Sequence, residues 1–126
     1  MSIQERISRA LSAAMQHLER ALSADKSDVD ALENDVWHVA SELEHALLLF
    51  SLNFEDNDPA KWRSNIPRKR EIRETLTLVY ELLKQSVDAL SKGKLLDAYK
   101  EAYAARYQVF SLQEEFSKKK RKKQEG

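Results

Sequence analysis

The sequence predicts an all-α protein, a four-helix bundle of antiparallel amphipathic helices with a disordered basic C-terminal tail. Three observations carry that expectation. Apolar residues recur at three- and four-residue steps in four separate stretches, the spacing of one helix face. Only two glycines and two prolines punctuate 126 residues, too few for the tight turns of a β-fold. The stretches are mostly joined by short connections, which suit antiparallel neighbours.

The first helix is expected over 2–23. Ser2 and Glu5 have capping-box spacing, so hydroxyl and carboxylate can each satisfy an orphan N–H. Ile3, Ile7, Leu11, Ala14, Leu18 and Leu22 form its apolar stripe, with Arg6, Arg9, Glu19 and Arg20 outside it. Ser27 and Asp30 repeat the capping logic for a second helix over 27–52, whose stripe is Val29, Leu32, Val36, Val39, Leu43, Leu47 and Phe50. Its end, Leu47-Leu48-Leu49-Phe50, is apolar all round, and such a segment needs cover on several sides. Residues 53–67 lack periodicity and read as a long loop. Pro67 suits a first helical turn, which places the third helix over 67–91, with Gly93 ending it in a left-handed conformation. The fourth helix is expected over 95–117, and residues 118–126, which have no apolar group, as the tail. The expected organisation is thus one helical domain over 1–117 and a tail over 118–126. Leu32, Val36, Leu43, Leu47, Val79, Leu83, Ala102 and Val109 are the expected core.

Charge divides the chain more sharply than its total of zero suggests. Residues 1–60 carry four basic against twelve acidic groups, a net of −8, and residues 61–126 carry 17 basic against nine acidic, a net of +8. Such an asymmetry produces a strong field.

Few chemistries fit these residues. With no cysteine, disulfides, thiolate zinc sites and a cysteine nucleophile are excluded together. No glycine-rich phosphate loop occurs, and no serine has a histidine at a triad-like position. Asp35, His38, Glu42 and His45 share one side of the second helix, and Glu42 to His45 spells Glu-x-x-His, the unit that di-iron bundles use in pairs. His17, the one histidine outside that row, has no acidic residue three before it, so the row reads as a solvated polar flank without a metal. The expectation is a non-enzymatic protein without a cofactor or small-molecule substrate. The longest apolar run, Ala46 to Phe50, is far too short to cross a bilayer, and the first residues lack the apolar block of a secretion signal. A cytoplasmic protein is therefore expected, with the nucleus open to it in a cell that has one.

The basic half suggests a polyanion. Lys61, Trp62, Arg63, Arg68, Lys69, Arg70 and Arg73 combine cations with a ring that can stack on a base. Arg68, Lys69, Arg70 and Arg73 fall where a helix start disfavours cations, so those charges serve an end other than helix stability. Lys118, Lys119, Lys120, Arg121, Lys122 and Lys123 make an unbroken cationic run. The expected function is sequence-independent nucleic-acid association through these residues. The alternative is an assembly subunit whose acidic and basic halves mate between chains. Self-association is expected through Leu48, Leu49 and the row Tyr99, Tyr103, Tyr107, because the helices carry more apolar surface than one stripe each requires.

Overall fold

Four helices and no strand make up the described residues of the computed structural model: α1 (Ile3–Ser23), α2 (Val29–Ser51), α3 (Ile72–Ser91) and α4 (Leu95–Glu125). The structure describes residues 2–23, 28–54, 58–59, 61–62 and 71–119, and the helical backbone onward to 125.

Local chemistry explains several helix ends. Ser2 Oγ accepts from the Glu5 N–H at 3.1 Å, the expected cap of α1. At α2 the cap is Asp28, whose carboxylate accepts from the Ala31 N–H at 3.0 Å. The expected cap at Ser27 is corrected accordingly: Asp28 places its oxygen against the third N–H of the helix, the geometry an N-cap requires. The α3–α4 turn is as expected. Gly93 has φ 76°, the Lys94 N–H reaches Ala89 O at 2.9 Å and the Gly93 N–H reaches Leu90 O at 3.1 Å, the two bonds of a Schellman motif.

Two helix boundaries differ from expectation by five residues or more. α3 begins at Ile72, not 67, so the connection after α2 is longer than the proline suggested, and Pro67 lies outside the described residues. α4 continues to Glu125, eight residues past its expected end at 117. Apolar residues run out at Phe116, but lysine, arginine and glutamine are good helix formers and cations suit a helix C-terminus, so loss of the stripe did not mark loss of the helix.

Each helix packs against two others: α1 against α2 and α3, and α4 against α2 and α3. The Gln4 side chain, at the start of α1, donates to Leu90 O at the end of α3 (3.3 Å). Arg73, at the start of α3, donates to Leu22 O at the end of α1 (3.2 Å). Ile7, Leu11, Leu18, Val36, Leu43, Phe50, Val79, Leu83 and Val109 are wholly buried between the four helices. Fully burying such a side chain contributes about 1.5–3 kcal/mol. Of the expected core, Val36, Leu43, Val79, Leu83, Ala102 and Val109 are buried, while Leu32 and Leu47 are half-buried against its edge. Ala10, Ala14 and Ala21 let α1 sit close to its neighbours.

The connection from α2 to α3 has a geometric reason to be long. Trp62 lies beside Tyr99 and Tyr103 near the start of α4, whereas Arg73 reaches the end of α1. α2 and α3 make no contact with each other among the described residues, so a tight turn could not join them.

Candidate functional site

The basic residues fall into two groups at opposite ends of α4. Lys61 is exposed at one end, next to Trp62. Lys118 and Lys119 are exposed at the other, where Lys118 Nζ lies 3.9 Å from Glu115 on the same helix. Arg63, Arg68, Lys69 and Arg70 lie outside the described residues, as do the side chains of Lys120, Arg121, Lys122 and Lys123.

Trp62 is half-buried. It meets Tyr99 edge-on at 5.1 Å and Tyr103 at 5.7 Å, and the Lys100 ammonium sits over its ring at 5.8 Å. Its contacts pin the connecting segment to α4 through aromatic and cation–π packing. Lys100 is a cation that periodicity hid among solvated positions, and it brings a further positive charge to this end.

Arg73 is placed differently from the other cations. Its guanidinium donates to the Leu22 carbonyl, at the C-terminal end of α1. There the macrodipole of α1 favours a cation, which offsets the unfavourable position of Arg73 in the first turn of α3. The local mismatch seen in the sequence has a structural resolution in the neighbouring helix.

The expected self-association residues separate. Leu49 is 6% exposed and Tyr99 3%, so both are corrected from surface to core. Leu49 completes the apolar packing of α2, and Tyr99 stacks on Phe50 at 5.2 Å under Phe54 and Trp62. Burial, with the neighbouring Tyr103 second, pushes the Tyr99 hydroxyl above the usual tyrosine range. Tyr103 and Tyr107 are half-buried. Leu48 stays exposed, and Trp37 and Leu52 share its outward side of α2 at exposures between 55 and 62%. Phe110 is exposed on α4, beneath the Arg106 guanidinium at 5.6 Å. Arg106 also pairs with Glu44 of α2 at 2.8 Å, which puts Phe110 on the same side of the molecule as α2. Phe110 continues the aromatic row that the sequence spacing marks on α4, whereas Trp37 and Leu52 were not marked because single outward apolar residues are common on any helix.

The polar row of α2 faces α1. His38 stacks on His17 with ring centroids 4.7 Å apart, and His17 Nδ1 is buried without a hydrogen-bond partner. Further along the seam Glu42 and His45 face Ala10 and Ala13 across a groove of about 530 Å³, rimmed by Arg6 and Arg9. All three histidines of the chain thus lie on one seam. Among the described residues no group of three or more acidic or histidine side chains could hold a metal ion. Arg6 and Arg9 look merely solvated in the sequence, since only the packing of α1 on α2 brings them to His45.

The chain matches no known protein family, no curated protein and no solved structure. No described helix is long and apolar enough to cross a membrane.

Proposed function

We propose that the four helices form an antiparallel bundle and that the chain is a non-enzymatic module binding nucleic acid through largely sequence-independent phosphate contacts. The contacts from Gln4 to Leu90, Arg73 to Leu22 and Arg106 to Glu44 support the antiparallel arrangement. The observation that carries the function is the placing of exposed cations along α4: Lys61 and Lys100 near its start, Lys118 and Lys119 near its end. Eighteen helical residues rise about 27 Å, roughly the length of eight base pairs. In sequence, Arg63, Arg68, Lys69 and Arg70 lie between Lys61 and Arg73, and four more cations follow Lys119. Because Trp62 is engaged by tyrosines, the reading rests on phosphate contacts rather than on base stacking, and discrimination among sequences is expected to be weak.

The test is a titration with single- and double-stranded DNA and RNA at several salt concentrations. Binding at about 50 mM salt with a steep negative slope of log affinity on log salt supports the reading. Absence of binding there overturns it.

Self-association is the second reading, favoured by the exposed side of α2 bearing Trp37, Leu48 and Leu52, with Phe110 beyond the Glu44–Arg106 pair. An exposed apolar group of this kind often marks a protein contact. The contacts of Glu44 with Arg106 and Phe50 with Tyr99, carried along both helices, bring Lys118 level with the acidic first turns of α2. The Glu44–Arg106 pair already joins the acidic and basic halves within one chain, which favours an apolar contact over mating of those halves between chains. A solution-mass measurement at high micromolar concentration decides between monomer and dimer.

A further inference from the structure

We infer that the groove between α1 and α2 is a binding site for a small hydroxylated phosphate monoester. It has about 530 Å³, within the range of sites that take small ligands. The floor is Ala10 and Ala13, whose short side chains leave the gap open, and the rim is Arg6 and Arg9 on one side with Glu42 and His45 on the other. Each rim pair is three residues apart on its helix, so both members point the same way.

The charges are out of place for their surroundings. Residues 1–60 hold four basic groups against twelve acidic ones, yet two of those four converge here. Arg6 sits in the first turn of α1, where a cation is locally unfavourable. Glu42 lines the same groove, but no ion pair between it and either arginine is formed among the described residues. Two arginines and a histidine therefore line one opening. A phosphate monoester matches them: it carries close to two negative charges near neutral pH and three strong acceptor oxygens, and guanidinium meets such oxygens bidentately. A monocarboxylate offers one charge and two oxygens. Glu42 repels a second anion and accepts a hydrogen bond, which selects a ligand with a hydroxyl beside its phosphate. The alanine floor takes the carbon body.

None of these residues belongs to the basic surface along α4, so the site stands or falls independently of nucleic-acid binding. The three histidines supply the readout. Proton NMR of their ring signals is followed as glycerol phosphate, inorganic phosphate and dimethyl phosphate are added to the full chain. The expected result is a saturable shift of His45 with glycerol phosphate, weaker with inorganic phosphate and absent with dimethyl phosphate, a singly charged diester like a nucleic-acid linkage. The double variant Arg6→Gln/Arg9→Gln is expected to weaken binding at least tenfold with the helical circular dichroism unchanged. Ala13→Leu, which keeps every charge and fills the floor, is expected to abolish it. Glu42→Gln is expected to remove the preference for glycerol phosphate over inorganic phosphate. A linear response, an equal response to dimethyl phosphate, or saturable binding that survives either the arginine changes or Ala13→Leu overturns the site.

Discussion

The α1–α2 hairpin and the α3–α4 hairpin bury their shared core by different means. α1 and α2 contribute only aliphatic and aromatic side chains to it, whereas all three buried polar residues among those described, Thr75, Ser86 and Gln108, come from α3 and α4. Ser86 is satisfied by the Ala98 carbonyl at 2.7 Å, and Thr75 by the Glu71 carbonyl at 3.0 Å, so neither carries the cost of an unmade hydrogen bond. The first hairpin keeps its polar groups on the outer seam, at the His17–His38 stack and the groove. The two hairpins also carry opposite charge, yet opposite charge is not what joins them. The Glu44–Arg106 pair is partly exposed, and such pairs contribute about 0–1 kcal/mol. Phe50 of α2, stacked on Tyr99 of α4 and wholly buried, does far more. Apolar contact, not the charge division, holds the halves together.

That comparison can be broken most directly at Phe50. Phe50→Ala is expected to destabilise the chain by about 3–5 kcal/mol, with both hairpins unfolding in one transition in urea. Two separate transitions, or a cost below about 1 kcal/mol, would show that the hairpins stand alone.

Trp62→Ala tests whether the aromatic cluster is structural. A loss of about 2 kcal/mol in stability is expected, less than for a fully buried tryptophan, with affinity for duplex DNA nearly unchanged. A large loss of single-strand affinity at constant stability would return the ring to base stacking.

Truncation after 117 probes the basic end of the second hairpin. Affinity at about 50 mM salt is expected to fall about tenfold, and on duplex DNA the salt slope is expected to shrink by about one unit for each phosphate left unneutralised. Unchanged slope would show that the end of α4 does not touch the polyanion.

Gly93→Ala sharpens the comparison at the turn that closes the second hairpin. No atom lies within 4 Å of an added Cβ, but φ of 76° is a left-handed conformation, so a loss of about 1 kcal/mol is expected by thermal unfolding.

The smallest effect concerns Glu101 of α4, whose carboxyl is raised above the usual range, first by burial and then by Asp97. Its ionisation is less favourable in the folded chain than in the unfolded one, so its contribution to stability is lost as pH rises through its folded value. Glu101→Gln is expected to raise Tm slightly at pH 7 and to leave it unchanged near pH 3.

Periodicity and capping made helix identity legible from the residues alone. Steps of three and four set the buried faces through Ile7, Leu11, Val36, Leu43, Val79, Leu83 and Val109. Ser2 and Gly93 marked two ends because their chemistry acts within a few residues of chain. The ends that escaped, Ile72 at the start of α3 and Glu125 at the end of α4, lie where charged residues fit helix and loop equally well.

The sequence by itself determined the helical class, most of the core positions and the −8 to +8 division of charge, because these depend on residue type and local spacing. Only the tertiary structure decided that Tyr99 and Leu49 are core, that Trp62 leans on tyrosines, that Arg73 meets the end of α1, and that Arg6 and Arg9 share a groove with His45. Each of those depends on which helices become neighbours and in what register. One-dimensional spacing fixes the face a residue occupies on its own helix, and packing fixes what that face meets.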